Sequence, residues 1–151
     1  MPGALTPERT AARLCELSSD ARAAVLVDAA GSLAGASDLD PERARVLGQL
    51  AVGLFEAVDR APRAEGVEPP EQVEAQVEGG AVYATRNPRW TLAVVARRGT
   101  LSSLMLMDLR SVLAELEGAP PIRTSVSATV AGDLPDPPVP EIGRASCRER
   151  V

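Results

Sequence analysis

Asp40–Arg60 reads DPERARVLGQLAVGLFEAVDR, and the fold follows from how this stretch is read. Asp40 followed by Pro41 is a helix start: a carboxylate to accept the first free N–H groups, then a residue whose fixed φ suits the first helical position. Apolar residues follow at Ala44, Leu47, Leu50, Ala51, Leu54, Phe55 and Val58 in steps of three and four, which is one stripe of an amphipathic helix. A narrower stripe of mostly small residues, Val46, Leu50, Gly53 and Ala57, lies beside it. A glycine inside a helix costs about 1 kcal/mol relative to alanine. A close approach of another backbone at Gly53 would offset that. The expectation is a helix that covers a sheet with one stripe and meets a partner with the other. The competing reading is one wide core face with Gly48 and Gly53 incidental.

Outward from this helix, the flanking segments alternate between strand and turn signals. Upstream, Thr6-Pro7-Glu8 predicts a hydroxyl-capped helix whose face is Ala11, Leu14, Cys15 and Leu17. The apolar run Arg22–Asp28, RAAVLVD, has no alternation, as in a strand covered on both faces. Asp28-Ala29-Ala30-Gly31 turns the chain into a weaker strand, Gly31–Ser37. Downstream of the Pro- and Gly-containing loop Ala61–Pro70, Glu71–Glu78 alternates. Val73, Ala75 and Val77 share one face against Glu74, Gln76 and Glu78, which predicts a strand at an edge. Gly79-Gly80 predicts a hairpin turn into Ala81–Arg86, and Asn87-Pro88 a second turn into the continuous apolar strand Trp90–Ala96. Thr100 is expected to cap a last helix, Leu101–Leu116, whose face is Leu101, Leu104, Met105, Leu109, Val112, Leu113 and Leu116.

Central-strand and edge-strand signatures, with hairpin adjacency, allow one consistent sheet. The expected fold is α/β (α+β), topology αββαβββα: a five-stranded, mostly antiparallel sheet in the order 2-1-5-4-3, with one helix on one face and two on the other. One helix is too narrow to cover such a sheet. Bare sheet and the unpaired third strand then call for a two-fold partner, edge against edge and helix against helix. The interface residues this implies are Val46, Leu50, Gly53 and Ala57 on the helix and Val73, Ala75 and Val77 on the strand.

The chain has 151 residues, a net charge of −5 and no histidine. All 16 basic residues are arginine, which removes the P-loop lysine and the Schiff-base lysine as well as the commonest general base. Phe55, Tyr83 and Trp90 are too few aromatics to stack bases or cage a ligand. Neither nucleic acid nor membrane insertion is an expected partner, and no catalytic residue, cofactor or metal site is assigned. Cys15 reads as a small core residue without a thiolate partner, and Cys147 has no metal spacing to it. Asp28 and Asp38 sit at turns and caps, where aspartate is expected structurally. Arg97-Arg98 before the last helix reads as a solvated turn. Arg43, Arg45 and Arg60 are the arginines near the key helix that an arginine-in-trans mechanism would draw on, and nothing singles one out. No signal-like or membrane-spanning segment stands out, so the expected location is cytoplasmic.

Three parts are expected along the chain. Residues 1–117 form the domain, and 118–140 a Pro-rich flexible tail in which Ile122–Val130 alternates. Residues 141–151, EIGRASCRERV, resemble an in-frame translation of a sequencing adapter and are set aside from functional reasoning.

The segments AAVLVDAAGSLAGAS, ARVLGQLAVGLFEAV and WTLAVVARRGTLSSLMLMDLRSVLAEL, in this order of elements, resemble the roadblock (dynein light chain) family over Pro7–Glu117. The resemblance implies a roadblock/profilin-like sandwich. It also implies a homodimeric, non-enzymatic regulator that binds a Ras-like small GTPase, as bacterial members resembling the GTPase activator of a gliding-motility or polarity GTPase do. A signalling scaffold with no GTPase partner is the alternative, and a PAS- or GAF-like ligand sensor a more distant one.

Overall fold

A computed structural model of the chain describes residues 4–118. Its elements are α1 (Pro7–Leu17), β1 (Ala21–Asp28), β2 (Leu33–Ala36), α2 (Pro41–Arg60), β3 (Gln72–Val77), β4 (Gly80–Arg86), β5 (Trp90–Arg97) and α3 (Ser102–Leu116). The five strands form one sheet in the order β2-β1-β5-β4-β3, with every neighbouring pair antiparallel. The element order and strand order are those the sequence predicts. The expected tail at 118–140, its alternating Ile122–Val130 and the set-aside residues 141–151 lie, Gly118 apart, outside the described residues.

The centre is the β1–β5 pair, in which Val25 lies opposite Ala93, Leu26 opposite Leu92 and Ala24 opposite Val94. All six are 0% exposed, which is why both runs lack alternation: each has protein on both faces. Leu26, Leu92 and Val94 join Tyr83 of β4, Leu14 of α1, and Met105, Leu109 and Val112 of α3 in one core layer. Val25, Val27 and Ala93 join Val82 and Ala84 of β4 and Ala44, Leu47, Ala51 and Phe55 of α2 in the other. So α1 and α3 share one face of the sheet and α2 has the other to itself.

Local chemistry sets the boundaries. Asp40 caps α2 as expected, accepting hydrogen bonds from the backbone N–H groups of Glu42 (3.1 Å) and Arg43 (3.3 Å). The other two expected caps do not form. The Thr6 side chain makes no cap bond, and it is Thr10 whose hydroxyl donates back to the Thr6 carbonyl. The Thr100 hydroxyl donates to the Arg97 carbonyl, so α3 begins one residue late, behind Leu101. The β3–β4 turn is Glu78-Gly79 rather than Gly79-Gly80. Gly79 takes the positive φ (84°), and Gly80 already pairs with Val77 as the first residue of β4. The β2 strand is shorter than the expected Gly31–Ser37, because Gly31 (φ 87°) and Ser32 belong to the turn. There Asp28 accepts from the backbone N–H groups of Ala30 and Ser32, both at 2.9 Å.

Gly35 of β2 lies directly beneath the Pro7 carbonyl, so that a Cβ there would collide with backbone at the start of α1. Gly35→Ala must therefore part β2 from α1. A loss of about 1–3 kcal/mol is expected, read as a lower urea midpoint at unchanged m-value.

Candidate functional site

The surface of interest begins with the helical period of α2. Ala44, Leu47, Gly48, Ala51 and Phe55 are buried against the sheet. The close approach inside the domain is at Gly48, where a Cβ would stand 3.2 Å from Val27 Cγ2. Gly48 is thus a packing residue and not incidental. Leu50, which the sequence pattern places on both stripes, belongs to the outer one. It is 42% exposed, and its neighbour Val46 is 55% exposed. Gly53 and Ala57 continue the same exposed row, and nothing lies within 4 Å of a Cβ built on Gly53.

From Val46 to Phe55 the helix carries no charged side chain at all. Its charges gather at the ends as ion pairs within the segment: Arg45–Glu42 at 2.6 Å, Arg43–Asp40 at 3.7 Å and Arg60–Glu56 at 3.7 Å. Each arginine flagged from the sequence therefore already has an acid beside it. An exposed helix face that is uncharged at its middle and charged at its rim has the composition of a contact surface rather than of a solvated face.

Among the described residues, β3 is the last strand of the sheet and pairs only with β4. Val73 lies opposite Ala84, Ala75 opposite Val82 and Val77 opposite Gly80. Since Val82 and Ala84 belong to the core layer on the α2 side, the three apolar residues of β3 face that side too. Coverage fades along them. Val73 is half-buried against the α2-side core, Ala75 is half-buried, and Val77 is exposed. The seven residues picked from the sequence thus occupy one side of the sandwich, on two surfaces that the described residues leave uncovered or half-covered.

One side chain holds these two surfaces together, and sequence reasoning missed it. Arg86, at the end of β4, donates to both carboxylate oxygens of Asp59 in the last turn of α2 (2.9 and 2.6 Å) and to the Pro70 carbonyl at the entry to β3 (3.1 Å). Its guanidinium also stacks on the Phe55 ring, 4.4 Å from the centroid. No spacing signal marks the pair, because Asp59 and Arg86 are 27 residues apart. The hydrogen bond from Arg86 holds the Asp59 carboxyl below its ordinary range, and Asp59 in turn raises Arg86.

The remaining polar features are structural or open. Cys15 packs against the core on the α1/α3 side, and burial pushes its thiol up, so it stays protonated. Leu101 and Leu104, expected on the buried face of α3, are exposed instead, at 67% and 50%. A groove of 310 Å³ runs between the β1–β2 turn, the last turns of α2 and the β4–β5 turn. It is open to solvent and rimmed by Asp28, Glu56, Asp59 and Arg86, unlike the enclosed cavity a small-molecule sensor needs. Among the described residues, no three His, Cys, Asp or Glu side chains gather as metal ligands, and no helix is long and apolar enough to cross a membrane.

Comparison with known proteins adds to this geometry. The Roadblock/LC7 domain family matches residues 10–96. A Roadblock/LC7 domain from Streptomyces avermitilis superposes with a TM-score of 0.66 at 18% identity, covering 76% of this chain and 97% of that one. The gliding protein MglB of Thermus thermophilus gives 0.60 at 21% identity over 79% of this chain and 96% of that one. A profilin from Schizosaccharomyces pombe gives 0.51 at 14% identity over 75% and 98%. No curated protein sequence matches the chain. The fold is thus a roadblock and profilin-like sandwich.

The ion pair at Asp59 gives a signed pH dependence. A carboxyl held below its ordinary value of 3.8 contributes stability above that value and loses it as pH falls through the lower value in the fold. The thermal midpoint of the wild type should exceed that of Asp59→Asn at neutral pH, and the two should converge as pH is lowered through the carboxylate range. Parallel midpoints over the whole titration would show that the pair adds nothing.

Proposed function

We propose that this chain, which belongs to the Roadblock/LC7 domain family, acts as a homodimeric adaptor that binds a Ras-like small GTPase and modulates its nucleotide state. The carrying observation is the exposed, uncharged row Val46, Leu50, Gly53 and Ala57 on the same side of the sheet as the unpaired β3 edge. A two-fold axis at that edge satisfies both surfaces at once. β3 pairs antiparallel with β3 of a second copy, and the two α2 helices cross over the seam, where Gly53 lets the backbones approach. Val73, Ala75 and Val77 then lose their exposure beneath the paired helices. The similarity to MglB and the implications of the roadblock pattern support a small GTPase as the client. Such a dimer acts as a shaped surface, with no catalytic group of its own and no cofactor. In the same reading the domain ends near Glu117, and residues 141–151 take no part, so truncation after Pro140 leaves association unchanged.

Gly53→Leu separates dimer from fold, because inside one protomer the new side chain meets nothing within contact distance. Analytical ultracentrifugation should show the wild type as a dimer and Gly53→Leu shifted toward monomer, with the monomer's circular dichroism intact. An unchanged dimer in this variant returns the α2 row to a plain solvent face. The client is tested by pull-down with a Ras-like small GTPase, loaded with GDP or with a GTP analogue. Preference for one state is expected. Equal capture of both states, on an intact dimer, favours the scaffold reading.

A further inference from the structure

We propose that the β5–α3 turn and the first turn of α3 form a second docking surface, at the end of the sheet where β5 leads into α3, for an acidic amphipathic segment of a partner protein. Four observations meet there. Leu101 is the most exposed large apolar side chain of the described residues, at 67%, and Leu104, three positions on and so beside it, is 50% exposed. Neither is needed by the core, since Met105 and Leu109 fill that side of α3.

Arg97 and Arg98 are exposed, and among the described residues neither forms an ion pair, whereas seven other arginines do. Both line a concavity of 190 Å³ together with Gln76, Tyr83, Thr100 and Ser102, and no acidic side chain lines it. The first N–H groups of α3 are left without a side-chain cap. Thr100 is spent on the Arg97 carbonyl, and the Ser102 hydroxyl pairs with the Tyr83 hydroxyl at 3.2 Å.

On a chain of net charge −5 this is a local positive field beside two bare leucines. The complement is a segment whose leucine-like side chains cover Leu101 and Leu104 while its carboxylates reach Arg97 and Arg98. No residue of α2 lines the concavity, while Gln76 and Val77 at the end of β3 do, so the surface adjoins the β3 edge.

The test uses the full chain and a fluorescein-labelled helical peptide of leucines and glutamates, with its leucine–lysine counterpart as control. The acidic peptide should bind, weaken with added salt, and shift the amide resonances of Gly99–Leu104. The double variant Arg97→Glu/Arg98→Glu should weaken binding by about tenfold or more. Leu104→Ser, at an exposed site, should weaken it at unchanged thermal midpoint. Gly53→Leu should leave it unaltered, which separates failure here from failure of the dimer. Equal binding of the lysine peptide, wild-type binding by the variants, or a change of oligomeric state on Leu104→Ser, which would mean that a second copy covers the patch, each overturns the proposal.

Discussion

The pairing of β1 with β5 is the constraint from which the rest follows. Ala24, Val25 and Leu26 against Leu92, Ala93 and Val94 make a sheet centre from which water is excluded on both faces. Such a pair cannot be stable until something apolar lies above and below it. The described residues supply three helices, an odd number for two faces. Two of them share the side where Tyr83 and Leu92 lie, and α2 is left to serve the other side. The uneven cover is a consequence of helix count and helix width, and it leaves the α2 side of the molecule unfinished at β3.

Much of this was legible in the residues. The unbroken apolar runs in β1 and β5, the strict alternation in β3 and the cap at Asp40 each have one physical meaning, and together they fix the sheet order. The two stripes on α2 were legible as stripes. What periodicity could not decide was the membership of Leu50, which sits at their shared border. Helical spacing gives a residue's angle around the axis, but the angle at which core gives way to solvent depends on how the helix lies on the sheet. The same limit explains Leu101 and Leu104. Their spacing continues the buried face of α3, yet Met105 and Leu109 fill the core on that side and leave both exposed.

Other details were hidden for different reasons. Thr6 stands at the N-cap of α1 without a cap bond, and Thr100 stands one residue ahead of the N-cap of α3 with its hydroxyl donating to the Arg97 carbonyl, a local alternative that residue type alone does not reveal. The Arg86–Asp59 clamp joins elements far apart in the chain and carries no local signature. Gly48 and Gly53 look alike in sequence. The first is pressed against Val27 and the second faces open space, a difference of about 140° around one helix.

The clamp also bears on how this chain tolerates change. By gripping Asp59 at the end of α2 and the Pro70 carbonyl at the mouth of β3, Arg86 anchors both ends of the connecting loop to the rim of β4. What lies between, from Arg60 to Pro69, is exposed throughout. Insertions or deletions in that span would be absorbed between two fixed posts, without moving the register of β3 or the tilt of α2. The loop is therefore the place where related chains can diverge in length while keeping the same assembly surface, and where a graft or tag would disturb it least.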